Sequence, residues 1–442
     1  MGHHDDRARH LDFPAGHAKT RSSRTLTTLA VLSLLGSILF LFVRATSIMD
    51  IPGDPSAQGW IMQDFRDNLY YPVISFLTGN VPYDAPVHLA TYPVFQPFPP
   101  YSPLLLLVHV PLGLLSYNAS QLTYVLLSLV LTLAVAFVTL KIIGVTPSTL
   151  SVSTIGTLVL LSRPGHWNLL LGQPTLEFVL AVYLALHLGS KNARVSGIAF
   201  ALATMKATFA IPLAALMLAR RYFRALAIGV GVSVPLTLLP TYVLIRSSGG
   251  FLPLMDSIVE TVKTFGNSVG NSPVTCPVRI DVVALVSRIV GRNLGVGFEI
   301  TVLVVLLALA AATVRRVHDP AGERTADVYK ISVSCLAILL CTYHQPYSAL
   351  LLILPITALV LGRWAPPDIV SPIWARPILL VFLAIPMLNF AGSWTVSRMF
   401  VSGSVEWKII VSINSAAILA AFVIYVWLAF KRDLVAFLLH AR

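Results

Sequence analysis

Two carboxylates, Asp64 and Asp67, stand three residues apart in the run Gln63-Asp64-Phe65-Arg66-Asp67-Asn68-Leu69-Tyr70-Tyr71-Pro72. On a helix that spacing puts both on one face. A carboxylate held just above a membrane can act as general base on a hydroxyl group. The plainer reading is a solvated acidic loop with Arg66 as its partner. Lys206 falls near the middle of an apolar run, Val195 to Leu218. A charge at that depth costs about 2.5–3.5 kcal/mol on insertion scales and faces a cavity or a partner. Phosphate would suit it; Glu177, on the neighbouring apolar run, is the competing partner. His344 precedes Pro346, a residue that breaks a helix, and Gln345 and Tyr347 offer polar contacts beside it. Gln173 lies deeper in the apolar run that follows Arg163–Asn168 and could reach a cavity. Arg279, near Asp281, Arg288 and Arg292, has the fork that suits phosphate, although solvation explains those loop charges equally well.

The elements that must hold these residues are membrane helices. Of 442 residues, 56% are hydrophobic and only 11% are charged, and the mean hydropathy is +0.80. A soluble domain carries about 25% charged residues, so the expected class is an all-α polytopic membrane protein. The net charge of +12 sits in the N-terminal tail and in short loops such as 220–224, 315–316 and 431–432. That distribution is a topology signal rather than a nucleic-acid footprint. Cys276, Cys335 and Cys341 have no metal-type spacing and suggest no disulfide framework.

A basic tail, roughly 1–24 with Arg7, Arg9, Arg21 and Arg24, precedes the apolar run Leu26 to Val43, which reads as an uncleaved anchor. A single membrane domain, 25–442, follows. Further apolar runs fall at roughly 101–116, 121–141, 148–162, 168–188, 195–218, 223–245, 295–314, 329–344, 346–362, 376–393 and 408–430. Together they predict about twelve transmembrane helices, with both termini cytoplasmic. Two long segments, roughly 45–100 and 246–294, then face outward, and loops of that length tend to carry function. Val73, Ile74, Phe76 and Leu77 have the spacing of a helix lying along the membrane surface. This count leaves Lys141, Lys191 and Arg194 outside, against the positive-inside rule. It also puts Arg163-Pro164-Gly165-His166-Trp167-Asn168 at the cytoplasmic face, far from Asp64, unless a preceding span is re-entrant.

No phosphate-binding Gly-rich loop ending in Lys-Ser/Thr and no Gly-x-Gly-x-x-Gly after a strand occurs, so an ATP-driven pump or a soluble nucleotide domain has no support. His-x-x-x-His spacing is missing as well. A polytopic lipid or solute transporter is the rival class, but no internal repeat is evident. A noncatalytic scaffold would leave the Asp64–Tyr83 segment without a role.

Several stretches resemble glycosyltransferase family 87, within the C-type glycosyltransferases. They are Asp64-Phe65, Tyr70-Tyr71, Leu77-Thr78-Gly79, Pro82-Tyr83-Asp84 and Phe98-Pro99-Pro100-Tyr101-Ser102-Pro103. Gly165-His166-Trp167-Asn168 through Gly172-Gln173, Met205-Lys206-Ala207-Thr208 and Tyr343-His344-Gln345-Pro346-Tyr347 look like later blocks of that family. The resemblance covers most of the chain in order, though each motif alone is weak. The spacing from aspartate to tyrosines departs from the usual pattern, so Asp64 and Asp67 compete for the catalytic place, with Asp64 favoured.

The resemblance implies an inverting transfer of a sugar, such as mannose, from a polyprenyl-phosphate donor to a hydroxyl of a glycolipid or glycan acceptor at the outer leaflet. It implies that Lys206, His344 and Arg279 meet the donor phosphate, and that Tyr70, Tyr71, Gln173, Gln345 and Tyr347 contact substrate. A lipid monophosphate donor creates less need for a divalent ion than a nucleotide diphosphate, so no metal and no cofactor are expected. Membrane lipids are the expected surroundings, with no nucleic acid.

Overall fold

The computed structural model describes residues 15–47, 61–317, 324–366, 369, 371–390 and 394–440. Residues 1–14 of the basic tail and 48–60 of the first outer segment lie outside them. Every regular element among the described residues is helical. Helix α1 (Ala15–Ser47) carries the first apolar run. A layer of short helices follows: α2 (Gln63–Phe65), a π-helical turn (Arg66–Tyr70), α3 (Tyr71–Leu77), α4 (Ala85–Thr91), α5 (Pro103–Val108) and α6 (Val110–Gly113). Prolines explain much of their brevity. Pro72, Pro86, Pro103 and Pro111 each stand in a first turn, where no intrahelical N–H is lost.

The body begins with α7 (Tyr117–Ile143), α8 (Thr149–Leu161), α9 (Arg163–Leu171), α10 (Thr175–Leu188), α11 (Ala193–Ala203), α12 (Ala207–Ala219) and α13 (Phe223–Ser247). Helices α14 (Phe251–Asn267) and α15 (Val282–Val290) make a second layer. Then come α16 (Gly295–Arg316), α17 (Arg324–Cys341), a 3-10 segment (Pro346–Leu352) continued by α18 (Ile353–Val360), α19 (Ala375–Leu388), α20 (Trp394–Ser397) and α21 (Val405–His440). Among the described residues five helices, α1, α7, α13, α16 and α21, are long and apolar enough to cross a bilayer. Helices α8, α10, α11, α12 and α19 have 11 to 14 residues, about 17–21 Å at 1.5 Å per residue.

Two expected spans are rebuilt. The run 101–116 does not cross: α5 and α6 have six and four residues. Both its ends stay in the short-helix layer, because Ser102 N–H donates to Met205 O at 3.0 Å and Leu115 O accepts from Tyr70 Oη at 3.0 Å. The run 195–218 is two helices reversing at Thr204–Lys206. Ser196 Oγ donates to Ala185 O near the end of α10 (2.7 Å), while Arg220, past the end of α12, pairs with Asp327. The beginning of α11 and the end of α12 therefore share one end of the bundle, and the reversal sits at the other. Hydropathy registers a long apolar run; it is blind to a three-residue turn inside it.

That shared end gathers the basic loops. Arg363 Nη1 donates to Gly144 O (2.8 Å), Arg315 Nε to Ala219 O (3.3 Å) and Arg376 Nε to Leu359 O (2.8 Å). Asp327 takes both Arg220 and His187, the latter at 2.9 Å. The opposite end holds the first-layer helices and a cavity.

Candidate active site

The cavity, about 700 Å³, is lined by Asp64, Asn68 and Gln96 from the first layer and by Trp167 and Gln173 around the end of α9. Lys206 and Thr208 line it from the α11–α12 reversal, as do Asn271, Tyr343, Gln345 and Tyr347 from later segments. Its size falls within the usual 300–1,000 Å³ range of ligand sites.

Asp64 reaches it because α2 is docked onto the C-terminus of α9. Met62 N–H donates to Leu170 O at 2.7 Å, and Gly172, at φ +69°, leaves no space for a side chain: a Cβ there would lie 2.5 Å from Phe65 Cβ. The block 163–173 is thus beside Asp64, which corrects the expectation that placed it at the far face. The miscount came from treating 101–116 as a crossing.

Three side-chain amides hold the Asp64 carboxylate. Oδ1 accepts from Asn68 Nδ2 at 2.9 Å and Gln96 Nε2 at 3.0 Å, and Oδ2 accepts from Gln173 Nε2. Burial pushes the Asp64 carboxyl up to about 6, and the Asp67 charge adds to this, against the opposing pull of Gln173, Gln96 and the Lys206 ammonium. A carboxylate so placed is a base poised close to neutral pH.

Asp67 points elsewhere. It is fully buried, with Oδ1 2.7 Å from Arg66 Nε and Oδ2 accepting Phe95 N–H at 3.2 Å. Burial keeps its carboxyl above the ordinary value although Arg66 pulls it down. The Arg66 guanidinium in turn lies 4.1 Å over the Phe95 ring. Asp67 therefore pins the proline-rich strap 93–100, and the strap presents Gln96 to Asp64.

Lys206 is 6% exposed and lines the cavity. The competing pair with Glu177 is not formed: Glu177 Oε1 instead meets Tyr124 Oη at 3.3 Å and His109 Nε2 at 3.4 Å. Among the described residues no carboxylate lies within 4 Å of Lys206 Nζ. Four rings surround it, Tyr101, Phe178, Phe209 and Tyr347, with centroids 5.5–6.0 Å away. This is favourable ground for a cation and leaves its N–H donors available to an anion.

The other expected residues divide. Gln173, Gln345 and Tyr347 line the cavity with Asp64 and Lys206. His344 does not: it is buried with its ring edge on Phe209 at 4.8 Å and Nδ1 3.0 Å from Ser348 Oγ. Arg279 also stands behind the wall. It grips Asp281 through Nε and Nη2 at 2.9 and 2.8 Å, and Asn271 O through Nη1 at 2.9 Å. Although burial alone would raise the Asp281 carboxyl, the Arg279 guanidinium holds it below its ordinary value. Arg279 also lies 5.0 Å over the Tyr343 ring, so it braces two lining residues. Tyr70 and Tyr71 pack with Tyr117 and Tyr92 and do not line the cavity. Among the described residues no three His, Cys, Asp or Glu side chains group as a metal site.

The model of glycosyltransferase family 87 matches residues 98–342, more than half of the chain. The chain belongs to that family. No curated protein and no solved structure matches it. Family and apolar helices together make it a membrane glycosyltransferase. The matched region includes Gln173 and Lys206, while Asp64 precedes it and Tyr343–Tyr347 follow it.

Gln96, Asn68, Trp167, Asn271 and Tyr343 are among the lining residues not expected in the site from sequence. Asn68 was within reach of the sequence, since it stands four residues after Asp64, one helical turn on. Gln96 comes from a strap 32 residues away, a contact no local pattern announces.

Proposed function

We propose that this family 87 enzyme moves a sugar, mannose foremost, from a polyprenyl-phosphate carrier to a glycolipid or glycan hydroxyl on the extracytoplasmic side. The observation that carries this reading is a cavity holding one buried, amide-bound carboxylate and one buried lysine free of carboxylate contact. In the reaction, Asp64 accepts the proton of the acceptor hydroxyl as its oxygen attacks the anomeric carbon. The bond from that carbon to the phosphate oxygen breaks on the opposite face, and the electron pair leaves with the lipid phosphate. A β-linked donor gives an α-linked product. Lys206 stabilises the charge on the departing phosphate, an effect that is large in a dry site. His344 and Arg279 shape the wall from behind. No metal takes part, and EDTA is expected to leave turnover unchanged.

The gathering of basic loops at one end of the bundle supports an orientation with that end in the cytoplasm. With the basic end in the cytoplasm, α1, α7, α8, α10, α11, α12, α13, α16, α17, the segment 346–360, α19 and α21 give twelve crossings. Lys141, Lys191 and Arg194 then fall inside with Arg220, Arg315 and Arg363, in keeping with the positive-inside rule. The cavity faces out.

The test is transfer of labelled sugar from polyprenyl-phosphate mannose to a membrane lipid extract by the purified enzyme, repeated with the glucose and arabinose donors. Transfer with any of them supports the reading. No transfer from all three, with lipid binding intact, moves the assignment toward transport.

A further inference from the structure

We propose that the N-terminus of α12 is a phosphate-binding site, built from the main-chain N–H groups of Ala207 and Thr208, the Thr208 hydroxyl and the Lys206 ammonium. It rests on the donor reading only for the identity of the molecule that carries the phosphate.

The first amides of a helix have no acceptor within it. Here Phe209 and Ala210 N–H both turn back to Lys206 O, at 3.0 and 3.1 Å, which leaves those of Ala207 and Thr208 at the cavity. No side chain caps this end, although four of the six helices α7 to α12 begin at a serine or asparagine and three of those are side-chain capped. Thirteen aligned peptides make that open end electropositive.

Independent observations point to a ligand there. The Lys206 side chain, immediately before the helix, is 94% buried by its 6% exposure, lines the cavity and meets no carboxylate within 4 Å among the described residues. Thr208 Oγ1 is buried without a partner, and a helical threonine has two accessible rotamers with which to turn it into the cavity. The turn itself is held from outside: Thr342 Oγ1 donates to Thr208 O at 3.0 Å, and Ser102 N–H donates to Met205 O at 3.0 Å. A rigid turn therefore offers two amides and one ammonium to the same space, with one hydroxyl a rotamer away, a donor set suited to the several oxygens of a phosphate.

Backbone donors can be removed one at a time. Ala207 is the first helical residue, where proline fits, and Lys206 before it is extended at φ −131°, ψ 111°, as a residue preceding proline prefers. Ala207→Pro deletes one N–H and keeps the helix; Thr208→Val deletes the hydroxyl at constant shape. Binding of farnesyl phosphate and of farnesol to the full-length protein in nanodiscs is the measurement, with thermal unfolding as the folding control. Wild type is expected to prefer the phosphate, and Ala207→Pro to weaken phosphate binding by roughly tenfold or more while farnesol binding stays level. Thr208→Val should weaken it several-fold. Competition by inorganic phosphate would mark a bare phosphate site, and its absence a lipid-borne one; either supports the proposal. Equal binding of farnesyl phosphate by wild type and both variants overturns it, as does a wild type that binds farnesol equally well. Should Ala207→Pro unfold, Thr208→Val decides. Farnesyl phosphate carries no sugar, so a positive result alongside failed transfer would sink the transferase reading and leave the site standing.

Discussion

Replacing Asp64 by asparagine should move activity and stability in opposite directions, and both magnitudes follow from its surroundings. The carboxyl is raised from 3.8 to about 6, so keeping it ionised in the fold costs about 3 kcal/mol. The sign is that of a destabilising group. The cost is absent below about pH 4, grows between pH 4 and 6, and is complete above pH 6. Asparagine removes it but deprives Gln173 Nε2 of its acceptor, a loss of about 1 kcal/mol. The net expectation is a variant about 2 kcal/mol more stable than wild type at pH 7.5 and no more stable at pH 4. Turnover should fall by roughly 10²–10⁴-fold, the contribution of a positioned base. The assay pairs thermal unfolding at the two pH values with transfer of labelled sugar under saturating donor. Turnover above a tenth of wild type would refute the assignment of Asp64 as base, and a variant less stable at both pH values would refute the account of its burial.

The same carboxyl predicts that kcat/KM rises with pH through a single ionisation near 6 and is flat above it, measured between pH 4.5 and 8. Asp67→Asn should behave differently from Asp64→Asn. It frees the strap 93–100 by removing the charge-assisted bonds to Arg66 and reduces turnover less than tenfold; abolished turnover in a well-folded protein would return Asp67 to the catalytic place. Gly172→Ala drives a Cβ against Phe65 at a positive φ and should cut turnover at least tenfold while circular dichroism shows the helices retained.

The sequence marked residues of unusual type and concealed how the segments between them connect. Asp64 and Lys206 were legible because a carboxylate beside aromatic residues and a lysine in an apolar run both break the surrounding pattern at measurable cost. Asp67 looked equivalent to Asp64 by spacing. Only the contact with Phe95 N–H, 28 residues on, separates a strap anchor from a residue that faces the cavity. His344 and Arg279 sit at the same end of the molecule as the cavity, one layer behind its lining. The apolar runs were each found, yet a hydropathy profile cannot distinguish one long helix from a hairpin of two short ones. The runs 101–116 and 195–218 are both of that kind: each reads as one helix, and each is two.

The unequal lengths of the apolar helices mean that the enzyme meets the bilayer with two hydrophobic thicknesses. Helix α13 has 25 residues, about 38 Å, and α16 has 22, about 33 Å. Helices α8 and α12 have 13 each and still turn Leu158, Leu161, Ile211 and Leu218 outward to lipid. Acyl chains beside either helix face about 20 Å of apolar wall against a resting core of about 30 Å, a mismatch that a bilayer meets by thinning locally. If the donor rides on a lipid, as proposed, thinning beside α12 would bring its headgroup toward the reversal at Thr204–Lys206 without its leaving the membrane. On that proposal bilayer thickness would act as a control on catalysis: reconstitution into short-chain lipids should lower KM for the lipid donor, and long-chain lipids should raise it.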